Sequence, residues 1–370
     1  MGTIRADVLV VGAGPAGIAT AIAASLKGFQ VVVADLRKPP IDKPCGEGLL
    51  PEAVRALRAL GIHLNAATAC PLRGIRFEGD GWCATAELAR GTAFGVRRTA
   101  LHDLLVERAR EAGVKFRWGA RVSGLSARGA VVDGNEFACR WVVGADGQSS
   151  LVRKWAGFGP IRRASSRFGF RRHFAMAPWS DLVELYWADD CQMFVTPTAR
   201  DEVCVALLAD DSRMRVENAL ARFPVVEKRL RGAKRFPSEL GAITVLGKSS
   251  RVVRGNVAVI GDASFTVDAI AGQGVGLAFQ QAIALADALA CNEPRRYEAA
   301  HRRITRMPWR VTRLMLAVAR RAWLRRKALR LFAARPDLFS QVVSVHTGEK
   351  PADDLKVREV FGLGWQVLRA

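Results

Sequence analysis

The sequence lacks paired cysteines. Its seven cysteines are scattered along 370 residues, are odd in number and contain no C-x-x-C spacing. A disulfide framework or a zinc site needs cysteines in even number or at short, repeated spacings. The pattern therefore argues against both, predicts no metal site, and favours a reducing cytoplasm.

An unbroken apolar segment is also missing. Residues 8–26 carry no charge, a length that would suit a membrane span or a signal sequence. The middle of this stretch, however, reads Gly12-Ala13-Gly14-Pro15-Ala16-Gly17, and glycine and proline interrupt a helix there. We therefore expect no signal peptide and no spanning helix.

Acidic residues are too few to balance the basic ones. The chain has 56 Lys and Arg against 35 Asp and Glu, and residues 295–330 alone hold thirteen Lys and Arg with one acid, Glu298. Such a charge suits anionic ligands or an anionic surface. No recognised nucleic-acid module or aromatic-interleaved basic strand accompanies it, so nucleic acid is not an expected partner.

The first forty residues predict a dinucleotide-binding βαβ unit. Ala6–Val11 is a β-branched run that ends at a glycine, helical spacing follows over Pro15–Leu26, and Gln30–Ala34 is a second strand with Asp35 at its carboxyl end. Gly12 permits the sharp turn, Gly14 lets the backbone approach a pyrophosphate, and Gly17 lets helix and strand pack closely. Asp35 can accept from a ribose 2′-hydroxyl, which disfavours NADP. The cofactor-binding residues expected here are Gly12, Gly14, Pro15, Ala16, Gly17 and Asp35.

Two later segments repeat the pattern of a strand running into a glycine turn. Arg140–Gly147 contains Asp146, and Asn256–Ala263 ends in Gly261-Asp262. Next comes Gly272-Gln273-Gly274, followed by a helix of small and apolar residues to about residue 290. Glycines in this position let the backbone approach a planar cofactor, with the helix N-terminus facing any negative charge on it.

The order of these motifs resembles a known superfamily. G-x-G-x-x-G, then D-G-x-x-S-x-x-R, then G-D and G-Q-G resemble the class A flavin monooxygenases, typified by para-hydroxybenzoate hydroxylase, and the related geranylgeranyl reductase branch. The resemblance covers roughly residues 1–295. It implies bound FAD and NAD(P)H as a transient reductant. It also implies cofactor contacts from Arg98 near the pyrophosphate, Asp146, Asp262, Gly272, Gln273 and Gly274.

The resemblance is less specific for the reaction. It favours a monooxygenase that hydroxylates an aromatic, polyketide or other apolar small molecule through a flavin C4a-hydroperoxide. The alternative is an FAD-dependent reductase of isoprenoid double bonds, and a third is a membrane-associated or partner-binding flavoprotein without turnover. Two departures keep the choice open: Ala269 replaces the usual proline before Gly-Gln-Gly, and Met193–Pro197 only partly matches the aromatic motif of the reductases.

The fold class predicted is α/β, a Rossmann-type FAD-binding domain with an inserted antiparallel-sheet substrate domain and C-terminal helices. Alternating segments such as Arg167–Arg171 and Val203–Leu208 predict the inserted sheet. The expected division is residues 1–73, 96–165 and 248–295 for the FAD domain, 74–95 and 166–247 for the sheet, and 296–370 for the basic helical region.

Lys43–Leu49 is the most unusual sequence outside the glycine motifs. Cys45 is the candidate catalytic residue, since a similar Cys-Gly segment of the geranylgeranyl reductase branch lies near the flavin. A small buried cysteine is the equal alternative. Glu47 is expected either to contact the flavin side or, as slightly favoured, to cap a helix over Pro51–Leu60.

Residues 295–345 predict additional helices. Apolar side chains recur at helical spacing between arginines over Val311–Phe332. This stripe is expected to pack on the FAD domain while the arginines face water, and a peripheral contact with an anionic membrane is the alternative left open.

Overall fold

A computed structural model gives the structure of the protein and describes residues 5–89 and 92–350. Within these ranges the strands are β1 (Arg5–Val11), β2 (Val31–Asp35), β3 (Gly48–Leu49), β4 (Cys70–Pro71), β5 (Gly74–Gly79), β6 (Trp82–Glu87), β7 (Phe94–Gly95), β8 (Lys115–Trp118), β9 (Val122–Ser126), β10 (Gly129–Val132), β11 (Asn135–Gly144), β12 (Arg162–Ala175), β13 (Leu182–Trp187), β14 (Cys191–Ala199), β15 (Glu202–Ala209), β16 (Lys234–Arg235), β17 (Leu240–Lys248), β18 (Val253–Arg254), β19 (Val257–Val259) and β20 (Phe265–Thr266). The helices are α1 (Pro15–Leu26), α2 (Pro51–Ala59), α3 (Arg98–Glu111), α4 (Leu151–Trp155), α5 (Val216–Leu220), α6 (Pro224–Leu230), α7 (Gly274–Ala290), α8 (Arg295–Ala319), α9 (Ala322–Ala334) and α10 (Pro336–His346).

The first sheet is the predicted Rossmann-type layer. Its order is β18-β19-β11-β1-β2-β8, and β1 pairs in parallel with β2 and with β11. The β-branched residues of β1 are buried, as a parallel strand covered on both faces requires. Because parallel strands end at the same edge, the segments that follow β1, β2, β11 and β19 lie together.

The second sheet is largely antiparallel and has nine strands, with the order β20-β17-β12-β15-β14-β13-β5-β6 and β16 beside β12. Strands β5 and β6 come from the first expected insertion and β12 to β17 from the second, although β12 begins four residues before the expected start at residue 166. Parallel pairing of β13 with β5 joins the two pieces. The predicted fold class is confirmed.

Helices α9 and α10 pack on the second sheet, which corrects in part the expectation that the C-terminal apolar stripe packs on the FAD domain. Helix α8 contacts α7, but α9 contacts β5 and β6 and α10 contacts β6. Leu329 and Phe339 are buried in the resulting clusters. None of the described helices has the length and hydropathy needed to cross a membrane. Residues 351–370 of the expected basic region lie outside the described ranges.

One arginine of this region does not face water as expected. The side chain of Arg325 on α9 is only 2% exposed. It lies 2.7 Å from Asp80 in the β5–β6 turn and 2.6 Å from Asp189 in the β13–β14 turn. A buried guanidinium without partners would be costly, so the two carboxylates hold α9 against these turns.

Candidate functional site

Two glycines of the first motif are required by packing. Gly12 has φ of +106°, and a Cβ there would lie 2.5 Å from the carbonyl oxygen of Ala145. A Cβ on Gly17 would collide with the Gly12 carbonyl. Glycine at both positions therefore allows the turn before α1 to pack against the ends of β1 and β11. This agrees with the sharp turn predicted at Gly12 and the close packing predicted at Gly17.

Gly14 differs from its neighbours, because a Cβ there would meet no atom within 4 Å. It is the N-cap of α1, where Pro15 follows as the first helical residue. The open space lies beside a helix N-terminus, the place where backbone N–H groups receive phosphate. The Ala13 amide in the same turn donates to Asp35 Oδ2 at 2.7 Å, which holds the turn against the end of β2. This arrangement fits a dinucleotide pyrophosphate.

Arg98 begins α3. Its Nε is buried and has no hydrogen-bond partner among the described residues. On the same helix, His102 Nε2 lies 3.0 Å from the carbonyl of Ala13 and so donates to it, which joins α3 to the glycine turn. A guanidinium with a free N–H beside this turn is suited to a phosphate oxygen, so Arg98 also fits the implied FAD.

The later motifs meet the first one. A Cβ on Gly261 would lie 2.7 Å from Cβ of Ala16, so the Gly261-Asp262 turn packs on the start of α1. Asp262 is partly exposed, and its Oδ2 lies 3.2 Å from Lys43 Nζ. Asp146 instead accepts from the amides of Leu151 and Val152, which caps α4. The cofactor roles of Asp146 and Asp262 remain predictions.

The Gly272-Gln273-Gly274 turn directs its one side chain away from the glycine motifs. Gly272 has φ of +65°, and Gln273 is the N-cap of α7. Gln273 Nε2 donates to Oε1 of Glu52 at 3.0 Å and to the His346 carbonyl at 2.6 Å. Any contact that Gln273 makes with the flavin would therefore come from its backbone.

A buried ion pair fixes the segment before this turn. Arg167 on β12 and Asp268 are almost fully buried and lie 2.6 Å apart. Ala269 begins the next turn, and its amide donates to Thr244 Oγ1 at 2.8 Å. Proline has no N–H and could not make this bond. Alanine at position 269, where the family usually has proline, therefore supplies a backbone hydrogen bond that proline could not make.

The segment that we call the Cys45 loop (residues 42–47) joins the two sheets. Lys43 reaches Asp262, which follows β19 of the first sheet. Asp42 accepts from Arg171 on β12 of the second sheet, with 2.7 Å between Oδ1 and Nη2. The loop is therefore held from both sides at the junction of the two layers.

Cys45 itself is partly exposed. Its Sγ accepts from the backbone amide of Glu47 at 3.4 Å, and its carbonyl accepts from Cys204 Sγ at 3.6 Å. Cys204 lies on β15, is buried, and has its pKa raised by that burial. The two thiols thus differ: Cys204 is an inert buried group, whereas Cys45 is only partly buried.

Glu47 is not the cap of the following helix, which corrects the favoured expectation. Helix α2 has Leu50 as its N-cap, without a side-chain bond. Glu47 is 3% exposed and has φ of +60°. Its Oε1 accepts from the Arg98 amide at 3.0 Å, and its Oε2 accepts from His173 Nε2 at 2.6 Å. The left-handed backbone turns this carboxylate into the protein, where it ties the Cys45 loop to α3 and β12.

Two arginines determine which nitrogen of His173 carries the proton. Arg171 Nη1 lies 2.9 Å and Arg97 Nη2 3.4 Å from His173 Nδ1. Arginine only donates, so Nδ1 accepts and Nε2 donates to Glu47. Ligand atoms of Glu47, His173 and Cys204 lie within 4.8 Å of one another, a spacing that metal sites also use. The positive charges of the two guanidinium groups beside His173 disfavour a metal cation at this position. We therefore interpret the group as a cluster of hydrogen bonds and ion pairs.

Sequence reasoning missed Arg167, Arg171 and His173, although a signal was present. Arg167 and Arg171 belong to the predicted strand Arg167–Arg171, and His173 lies two residues beyond it, so the even spacing places all three on one face of β12. A sheet face with three polar residues is normally exposed, but these three are buried. Charged residues repeated on one face of a strand next to a predicted domain junction indicate such an interface.

Comparison with known proteins gives the family. Residues 5–313 match the family described as FAD binding domain. The menaquinone reductase of Mycobacterium tuberculosis is 31% identical over 301 residues, which cover 73% of each chain. The 3-(3-hydroxy-phenyl)propionate/3-hydroxycinnamic acid hydroxylase of Mycobacterium avium is 34% identical over 178 residues, covering 41% of this chain and 31% of the hydroxylase. A flavoprotein/dehydrogenase of Cytophaga hutchinsonii shares the fold, with a TM-score of 0.80, 19% identity and 93% of both chains covered.

Proposed function

The chain belongs to the FAD-binding-domain family of FAD-dependent oxidoreductases and monooxygenases, and from that premise we propose that it reduces a double bond of an apolar isoprenoid or quinone. FAD is its cofactor, and NAD(P)H is the typical reductant of this family. The finer proposal concerns which bond is changed and which residues take part.

The position of the Cys45 loop carries this proposal. Its Lys43 contacts Asp262 in one cofactor motif, and its Glu47 contacts the amide of Arg98 in another. Glu47 also contacts His173 on the second sheet. A partly exposed thiol is therefore held between the predicted cofactor residues and the predicted substrate sheet, and ligand sites favour such junctions.

The chain's residues would supply the proton for this reaction. Reduced FAD would supply a hydride, which carries two electrons and one hydrogen. Addition of that hydride to one carbon would break the π bond of the substrate, and the Cys45 thiol would donate the proton that the neighbouring carbon needs. Solvent then returns a proton to Cys45. The Glu47–His173 pair positions the loop that carries this thiol.

The extent of the similarity favours reduction over hydroxylation. The match to menaquinone reductase covers 73% of the chain, whereas the hydroxylase match covers 41%. A match that spans 73% of the chain has to include β12 to β17 of the second sheet, where the substrate is expected, whereas a match that spans 41% need not. The sequence alone favours hydroxylation, so the preference between the two reactions is reversed here. Hydroxylation of an aromatic or polyketide substrate is the second candidate, supported by the hydroxylase relatives, including aklavinone 12-hydroxylase of Streptomyces purpurascens at 30% identity over 188 residues.

Anaerobic turnover separates the two reactions. We expect the FAD-loaded protein with NADPH and menaquinone, in the absence of oxygen, to give a product that has gained two hydrogens by mass spectrometry and that keeps them after air has reoxidised its ring to the quinone. Turnover that requires oxygen, with one labelled atom incorporated from ¹⁸O₂ into an aromatic probe, would instead establish hydroxylation.

We also propose that helix α8 and the start of α9 rest on an anionic membrane, where an apolar substrate would be met. Leu314 is 63% exposed and Trp323 is 47% exposed, so both could enter a membrane interface. Arg310 and Arg313 lie one turn or less from Leu314 and are exposed as well. Exposed apolar and basic groups on one helix face are typical of interfacial binding.

A further inference from the structure

The Gly261-Asp262 turn is held by side chains from two helices that follow later in the chain. Gly261–Ala263 form one turn of 3-10 helix after β19, and Gly261 has φ of +55°. Gln281 on α7 bonds to this turn, and His301 on α8 bonds to Ser264, which directly follows it. We infer that these three side chains are positioning residues, which fix the turn in the shape that binds FAD and thereby set the affinity for the cofactor. The inference does not depend on the proposed reaction, but it rests on the predicted contact of this turn with FAD.

Gln281 holds the amide of Gly261. The side chain is 1% exposed, and its Oε1 lies 2.7 Å from the Gly261 nitrogen. A backbone N–H can only donate, so the carbonyl end of the Gln281 side chain points at the turn. Its Nε2 is buried and has no partner among the described residues. A buried N–H group without an acceptor is costly, so the orientation of Gln281 is set by the turn and by no bond of its own amide nitrogen.

Ser264 and His301 hold the other side of the turn, and both are buried. Ser264 Oγ lies 3.0 Å from the Gly261 carbonyl oxygen and 3.2 Å from Gln281 Oε1. Both of these oxygens can only accept, so the single hydroxyl hydrogen of Ser264 points to one of them. His301 Nε2, 3.0 Å from the same hydroxyl oxygen, therefore donates to it. Burial lowers the pKa of His301 to about 4, so the imidazole is neutral.

These bonds fix the position from which Asp262 acts. A Cβ on Gly261 would lie 2.7 Å from Cβ of Ala16, so the turn is already in close contact with the start of α1. Rotation of the turn about its glycine would break the bond to Gln281. The carboxylate of Asp262, partly exposed and 3.2 Å from Lys43 Nζ, is thus presented in one place. A site that is ordered before binding loses less conformational entropy when its ligand arrives, so this network strengthens FAD binding.

Gln281→Met tests the acceptor, because methionine is similar in size and has no oxygen. Dilution of the full-length yellow protein, followed by the fluorescence of released FAD, gives the dissociation constant. We expect it to rise about tenfold or more, the loss that one buried hydrogen bond implies. Gln281→Glu keeps an oxygen acceptor in either protonation state and should restore FAD binding to near the wild-type value.

Ser264→Ala tests the second arm and removes a single oxygen atom. It should also weaken FAD binding several-fold, and it decides the matter if Gln281→Met does not fold. Tyr186→Phe is the matched control, since it removes a buried hydroxyl that bonds to Glu184 on the second sheet. The control should bind FAD normally. Equal weakening in the control would show that FAD affinity follows overall stability, which would overturn the positioning role.

Asp262→Ala separates this inference from its premise. We expect it to weaken FAD binding, because it removes the predicted contact itself. Normal FAD binding in Asp262→Ala would show that the turn does not contact FAD through this carboxylate, and the inference would fail with its premise. Weak binding in Asp262→Ala with normal binding in both Gln281→Met and Ser264→Ala would leave the contact in place and refute the positioning role alone.

Discussion

His173 donates from Nε2 to Oε2 of Glu47 over 2.6 Å, although the two residues are 126 positions apart. One belongs to β12 of the second sheet and the other to the Cys45 loop. Because the Arg171 guanidinium donates to the opposite ring nitrogen, the imidazole acts as a bridge of fixed polarity. The junction between the two layers is therefore held by directional bonds as well as by apolar packing.

Removing the imidazole should destabilise the protein strongly. His173→Leu leaves a buried carboxylate and a buried guanidinium without their partner, so we expect a loss of about 3–5 kcal/mol in the free energy of unfolding. His173→Gln keeps one donor and one acceptor and should cost roughly 1 kcal/mol. Urea unfolding measures both, and His63→Leu, at an exposed position, is the control. Equal stabilities of the Leu and Gln variants would contradict the bridging role.

Gly14→Val should abolish FAD binding without unfolding the protein. The φ of Gly14 is −72°, which any residue adopts, and its Cβ would meet no protein atom. The valine methyl groups would instead occupy the space that the pyrophosphate needs. The 450 nm absorbance of the purified protein measures bound FAD, and thermal unfolding of the apoprotein measures stability. Gly124→Val, also in open space but in β9, should remain yellow, and a yellow Gly14→Val protein would remove the basis of the cofactor assignment.

Local patterns predicted the framework of the fold well. The predicted helix Pro15–Leu26 matches α1, because turn chemistry and helical spacing are written in adjacent residues. The placement of α9 was wrong in part. Arg325 occurs in an arginine-rich helix, and only the tertiary structure brings Asp80 and Asp189 to it. A spacing in sequence cannot reveal a carboxylate more than a hundred residues away.

Nearby residues could not predict the partners of Glu47 either. A carboxylate two residues after a cysteine and shortly before a helix is typical of a cap. Its backbone at φ of +60° turns the side chain the other way, and non-glycine residues adopt that conformation too rarely for the sequence to indicate it. The partner, His173, lies two residues beyond the predicted strand Arg167–Arg171, and no local pattern connects it with Glu47.

Cys45→Ser should lower kcat by about 100-fold or more, because a serine hydroxyl is a much weaker acid than a thiol. KM should change little, since the two side chains are similar in size. Reduction of the flavin by NAD(P)H, followed anaerobically by loss of its absorbance, should proceed at the normal rate. Cys83→Ser, at an exposed site, is the matched control. A normal kcat in Cys45→Ser would exclude the thiol as the proton donor.

Anionic vesicles should bind the protein through α8 and α9. We expect co-sedimentation with phosphatidylglycerol vesicles, loss of binding at high salt, and little binding to pure phosphatidylcholine. Arg310→Gln/Arg313→Gln and Leu314→Glu should each reduce binding several-fold. The control is Arg128→Gln/Arg213→Gln, which removes the same charge from exposed sites elsewhere. Equal loss in the control would show that net charge, not this face, governs adsorption.

The carboxyl of Glu52 should make stability depend on pH. Burial raises its pKa from 4.5 to about 7, partly offset by a hydrogen bond from Gln273 and by the charge of Arg55. Arg303, His346 and Lys350 face it from α8 and the end of α10. Because the folded pKa is the higher one, the folded protein holds this proton more tightly than the unfolded chain does. The stabilisation is complete below pH 4.5 and is lost as the pH rises through 7.

Glu52→Gln isolates this contribution. The pKa difference corresponds to roughly 3 kcal/mol at full ionisation, so unfolding free energies of wild type and variant should diverge by about that amount between pH 4.5 and pH 8. The wild type should be the one that loses stability at the higher pH, because the neutral amide has no proton to release. Urea unfolding of both proteins at a series of pH values provides the measurement, and other titrating groups cancel in the difference. Parallel curves would mean that the pKa of Glu52 is the same in the folded protein as in the unfolded chain.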